Sequence, residues 1–119
     1  MEGLAPPPRV LCRLEEIPDG ASKAFDPPPG GFTGLFAIRK GDRVFIYVNA
    51  CPHIGVPLNW RGDDFLTRDK ANIICASHGA EFHIESGLCF QGPCSGDSLE
   101  PVEATITNGE ILVPYDAGL

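Results

Sequence analysis

Cys51-Pro-His53-Ile-Gly-Val-Pro-Leu58, answered further along by Cys75-Ala-Ser-His78-Gly79, decides how this chain is read. Each block pairs one cysteine with one histidine, and 21 residues separate His53 from Cys75. Two thiolates and two imidazoles on two short loops make a donor set for a metal centre. Two chemistries fit that set. One is a tetrahedral zinc site; the other is a two-iron, two-sulfide cluster with histidines replacing two cysteines on one iron. Cys51 and His53 lie two apart, so an extended segment puts both side chains on one face, while a turn aims them at different irons. Cys75 and His78 lie three apart with Gly79 next, which allows a tight turn and close backbone approach. Zinc knuckles favour Cys–Cys and His–His pairings, whereas each block here mixes the two ligand types.

The neighbouring residues resemble the ligand boxes of Rieske proteins. Cys51 to Leu58 is similar to the first box and Cys75 to Gly79 to the second. Phe82, then Gly87, then Gln91-Gly92-Pro93 continue that family's pattern, ending in the proline loop that covers the cluster. The resemblance runs from about Phe32 to Val113. It implies an all-β Rieske fold, with an antiparallel β-sandwich or barrel-like base and a cluster-binding subdomain at about residues 50–95. It implies one [2Fe-2S] cluster per chain, with Cys51 and Cys75 on the inner iron and His53 and His78 on the outer iron nearer solvent. Ile54, Gly55, Ser77, Gly79, Ala80, Phe82, Gly92 and Pro93 would then surround or cover the cluster. Neutral imidazoles in place of thiolates raise the potential to about −150 to +300 mV, against about −400 mV for plant-type ferredoxins.

Departures from the family pattern place this chain within that range. Respiratory Rieske proteins have an extra cysteine in each box, and the two form a disulfide; here those places hold Val56 and Ser77. Where those proteins have a serine and a tyrosine donating hydrogen bonds toward sulfur, this chain has Ala80 and Phe82. Fewer donors leave the reduced form less stabilised and lower the potential. The expectation is a low-potential centre, as in ferredoxins serving aromatic-ring oxygenases. The segment from Asn59 to Lys70 is polar and turn-rich, and longer than in those ferredoxins. A longer surface loop is thermodynamically mild.

Composition agrees. A chain of 119 residues is expected to form one domain, spanning 1–119. Nine basic residues against sixteen acidic give a net charge of −7, which repels nucleic acid and favours encounter with a basic protein face. No stretch approaches the length of a membrane span, and the start lacks a basic region followed by an apolar one. A cytoplasmic monomer without signal or membrane anchor is expected, and a reducing setting suits five cysteines of which two are assigned to metal.

Strands are expected at Arg9–Leu14, Phe32–Arg39, Arg43–Val48, Asn72–Cys75, Ala80–Ile84, Thr105–Thr107 and Glu110–Val113. Lys40-Gly-Asp42 and Asn108-Gly109 read as hairpin turns, and the proline-rich run 26–31 as a loop. Cys12 reads as a buried strand residue, and Cys89 and Cys94 as thiols. His83 reads as a surface or interface residue, and Asp63, Asp64 and Asp69 as a solvated loop.

The resemblance implies an electron carrier, taking one electron from a flavin-containing reductase and passing it to a terminal oxygenase or other oxidoreductase. A small Rieske-like subunit of a nitrite-reductase-type enzyme shares the chemistry, and a structural zinc-binding module is the third reading. A complete Rieske oxygenase needs two further histidines and a carboxylate for its second iron. The chain has three histidines, of which only His83 is unassigned. No nucleophile–base pair is evident, so no catalytic residue is expected.

Overall fold

Leu35-Phe-Ala-Ile38 and Val44-Phe-Ile-Tyr-Val48 are continuous apolar runs without polar alternation. A hairpin built from them has two apolar faces, so it is stable only when both are covered. The rest of the fold supplies those covers. The computed structural model describes residues 7–27, 31, 33–52, 58, 62–75, 79–92, 95–115 and 117.

Among these, ten strands form: β1 (Arg9–Arg13), β2 (Ser22–Phe25), β3 (Leu35–Lys40), β4 (Arg43–Val48), β5 (Asn72–Ile74), β6 (Glu81–His83), β7 (Cys89–Gln91), β8 (Pro101–Val102), β9 (Thr105–Thr107) and β10 (Glu110–Val113). A 3-10 turn, Leu14–Glu16, follows β1. No α-helix forms among the described residues, so none there is long and apolar enough to cross a membrane. All strand pairs are antiparallel. They make three sheets, in the orders β1-β10-β9, β2-β3-β4-β8 and β5-β6-β7. Each sheet keeps two edge strands, so the base takes the sandwich form; no closed barrel forms among the described residues.

The four-stranded sheet is the middle layer. Leu35, Ala37 and Ile46 point to one face and pack with Cys12, Ile17, Ile111 and Val113. Phe36, Ile38 and Tyr47 point to the other and pack with Phe65, Ile73, Phe82, Leu99 and both box cysteines. Two cores therefore share one sheet, and the period-2 alternation of β3 and β4 divides residues between them.

The expected strands form with small changes at their ends, each set by the partner strand. β1 stops at Arg13, which lies opposite Glu110, the first residue of β10. β3 begins at Leu35, opposite Val48, where β4 ends. Phe32 and residues 28–30 of the expected loop lie outside the described residues. Asn108 and Gly109 have φ of 52° and 78°, the double left-handed turn that matches strand twist. Strands β2, β7 and β8 are additional to the expected set. They are short or half-exposed, and Pro101 begins a two-residue edge strand, so none carries a periodic signal of its own.

Candidate metal centre

Cys51 follows β4 by three residues and Cys75 follows β5 directly. The two lie 24 positions apart in sequence, yet both are buried in the same core, at 1% and 0% exposure. The β4 end is shaped by Asn49, the one buried polar residue in the described core. Its Oδ1 accepts the N–H of Leu58 at 2.9 Å. That bond ties together the two residues that flank the first box, and both are buried.

The second box is the connection between β5 and β6. The Cys75 N–H donates to Ala80 O at 2.8 Å, and the Gly79 N–H donates to Cys75 O at 2.9 Å. These two bonds pair the flanks of the box, and Cys75 is fully buried. Ala80 and Phe82, both fully buried, follow on the same side. Gly92 lies against Ala80, the residue after this box. A Cβ there would stand 2.8 Å from Ala80 Cα, and the φ of 103° also requires glycine. Gly87 has a parallel reason, because a Cβ would meet the Tyr47 ring at 2.8 Å. The Tyr47 hydroxyl in turn donates to Ile84 O at 2.6 Å, which joins the middle sheet to the cluster-side sheet. Burial, and secondarily Glu85, pushes the Tyr47 hydroxyl up to about 12.

Two buried thiols delivered to one core by separate loops suit a metal–sulfur group, and the close approach of Gly92 to Ala80 suits a site shielded from water. Cys51 and Cys75 thus share one core. His53, Ile54, Gly55, Val56, Ser77, His78, Pro93 and Cys94 lie outside the described residues, as do 59–61 of the inter-box segment. No group of three His, Cys, Asp or Glu side chains converges among the described residues.

The remaining candidates fall as follows. Cys12 is buried in the other core, where burial and then Glu16 push its thiol up despite Lys23. Cys89 is buried and its Sγ donates to Gln91 O at 3.3 Å. His83 is exposed and stacks on Phe90 with ring centroids 4.4 Å apart.

The three aspartates are exposed loop residues, as expected, and they also accept hydrogen bonds. Asp63 Oδ1 accepts the Ala24 N–H at 2.9 Å, and Asp63 O accepts the Ser22 hydroxyl at 2.6 Å. Ser22 Oγ accepts the Phe65 N–H at 3.0 Å, holding Phe65 stacked on Phe36 at 4.4 Å. Asp64 Oδ1 accepts the Leu66 N–H at 3.2 Å. The Asp69 carboxyl lies below its ordinary range, because the Thr67 hydroxyl and then the Ala71 N–H donate to it. Carboxylates beside backbone N–H groups are turn formers, and Asp63 fastens the described residues after 62 to β2.

Sequence reasoning missed Asn49 and Tyr47. A polar residue between an apolar strand and the first ligand was the available signal for Asn49. Tyr47 reads as one more strand aromatic, and nothing local marks its hydroxyl contact.

Residues 8–107 match the family model of the Rieske [2Fe-2S] domain. No curated protein matches the chain. Several solved structures share the fold. The ferredoxin of carbazole 1,9a-dioxygenase from Nocardioides aromaticivorans IC177 superposes with a TM-score of 0.71 at 24% identity, covering 91% of this chain and 97% of that one. The Sphingomonas yanoikuyae B1 ferredoxin gives 0.69 at 23% identity, covering 90% and 97%. A chain from the complex of reduced oxygenase and oxidized ferredoxin in carbazole 1,9a-dioxygenase gives 0.71 at 22% identity, covering 94% and 96%.

Proposed function

The chain belongs to the Rieske [2Fe-2S] domain family, and on that premise we propose that it is a one-electron carrier without a substrate of its own. Its donor would be a flavin-containing reductase and its acceptor a terminal oxygenase or another oxidoreductase. The observation that supports this reading is that Cys51 and Cys75, from separate loops, are both buried in one core together with Ala80, against which Gly92 lies. Cys51 and Cys75 would hold the inner iron, and His53 and His78 the outer one. Residues of about 50–95 would form the cluster-binding subdomain of a single domain. The bound cluster supplies a site that accepts and releases one electron.

The chain's own residues do the rest. Burial of both thiols would keep water from the inner sulfurs, and the anchored flanks of the two boxes would hold the ligands in a fixed geometry. Fixed ligands keep the rearrangement on electron uptake small. Ala80 and Phe82 offer no hydroxyl toward sulfur, which supports a potential in the low part of the Rieske range. That a carbazole dioxygenase ferredoxin of the same fold is solved with its oxygenase supports an oxygenase as acceptor. The net charge of −7 and the thiols at Cys12 and Cys89 support a monomer in a reducing cytoplasm.

Iron and acid-labile sulfide analysis, with electron paramagnetic resonance of the reduced protein and film voltammetry, tests this reading. Equal iron and sulfide, a rhombic signal and a reversible one-electron wave are expected. His53→Cys and His78→Cys are each expected to lower the midpoint or to destroy the cluster. Zinc without sulfide would overturn the proposal. A histidine variant with wild-type iron, spectrum and potential would remove that residue from the ligand set.

A further inference from the structure

β6 and β7 pair with Glu81 opposite Gln91 and Phe82 opposite Cys89, so two residues of β6 face three of β7. Phe90 is the extra residue, a β-bulge. Bulges interrupt a ladder and re-aim a side chain. Here the bulge turns two successive residues, Phe90 and Gln91, outward after the buried Cys89. Phe90 is 40% exposed and lies against the exposed His83 ring. Leu88, two residues earlier, is also 40% exposed. The fold therefore uses an irregularity to hold an aromatic–aliphatic ridge in water, although burial of such side chains is favourable.

The surroundings of the ridge are acidic. Glu81 shares the outer face, Glu85 lies in the β6–β7 connection, and Asp97 receives the Cys89 N–H on its backbone oxygen at 2.8 Å. The nearby cation, Lys40, is 3.9 Å from Glu85. A recess of about 400 Å³ lined by Lys40, Asn72, His83, Glu85 and Ser86 opens beside His83. At the other end, Gly92 follows Phe90 by two residues and packs on Ala80. The strand that carries the ridge thus runs on to Ala80, which shares the core of Cys51 and Cys75.

We propose that Leu88, Phe90 and His83 are the docking ridge for a redox partner protein whose facing surface has an apolar hollow ringed by lysine or arginine. The inference rests on the electron-carrier reading. Exposed aromatic anchors within a polar rim are the surface form of a binding hot spot. The carboxylate rim steers a basic partner and repels a second copy of this acidic chain.

Cytochrome c, whose exposed haem edge is ringed by lysines, serves as the probe. Reduced holoprotein is mixed with ferric cytochrome c in a stopped-flow instrument at rising salt; one electron leaves the reduced cluster and ferric haem becomes ferrous. The second-order rate is expected to fall with salt. In Leu88→Ser/Phe90→Ser it is expected to fall about tenfold with the voltammetric midpoint unchanged, the equivalent of about 1.4 kcal/mol. Glu85→Lys/Asp97→Lys is expected to slow it and flatten the salt dependence. Equal rates for wild type and the Leu88/Phe90 variant would overturn the proposal. So would a wild type that gives a reversible wave but reduces no cytochrome c. Sedimentation velocity adds a further arm: self-association lost in the Leu88/Phe90 variant would assign the ridge to a second copy and overturn it too. Absence of any reversible wave would instead fail the carrier reading itself.

Discussion

Asn49 does at residue scale what a longer polar network does elsewhere. Its carbonyl oxygen satisfies the Leu58 N–H inside the core and so fixes both ends of the first box. Asn49→Ala leaves that donor buried without its partner, at a cost of about 1–3 kcal/mol. Urea denaturation is expected to show the loss, together with lower iron per chain. Unchanged stability and iron content would mean that the loop is held by other contacts. On the proposed reading, Ala80 and Phe82 matter for the hydroxyls that they lack. Both are fully buried, so a hydroxyl introduced at either needs an acceptor. Sulfur is the acceptor that the family relation supplies. Ala80→Ser and Phe82→Tyr are expected to raise the midpoint potential, singly and together. A folded double variant whose potential is the same or lower would refute the argument.

At the scale of elements, the Tyr47 hydroxyl ties β4 to the turn after β6. Its folded value is raised from 10 to about 12, so the neutral form is favoured by folding. The associated stability is fully present below pH 10 and is lost as pH rises through about 12. Wild-type urea midpoints are expected to decline across that window. Tyr47→Phe is expected to be about 1 kcal/mol less stable at neutral pH, and to lack this tyrosine's share of the alkaline decline. Parallel declines in both proteins would assign the effect to other groups. The β7 bulge and the aspartate-fastened inter-box turns are element-scale features as well. Both take residues that look unstructured in sequence and give them defined backbone partners.

At the scale of the molecule, one double-faced sheet separates two cores, and the two box cysteines belong to only one of them. Removing the metal should therefore be felt asymmetrically. After iron chelation, amide exchange is expected to accelerate in β5, β6 and β7, while β1, β9 and β10 keep their protection. Uniform loss of protection would show that the two cores unfold as a unit.

What the sequence determined by itself was local. Paired Cys and His at short spacing name a ligand chemistry, apolar runs with β-branched and aromatic residues name β3 and β4, and Asn108-Gly109 names a turn. Each of those signals is complete within a few residues, because ligand type, side-chain period and backbone φ are local properties. The placement of Asn49, Tyr47 and Phe90 was decided only in three dimensions. The Asn49 partner is 9 positions away and the Tyr47 partner 37. The Phe90 bulge exists only because β7 is one residue longer than the stretch of β6 it pairs with. Whether Gly92 could touch Ala80, or one core could gather Cys51 and Cys75, likewise depended on strand register, which no short window of sequence contains.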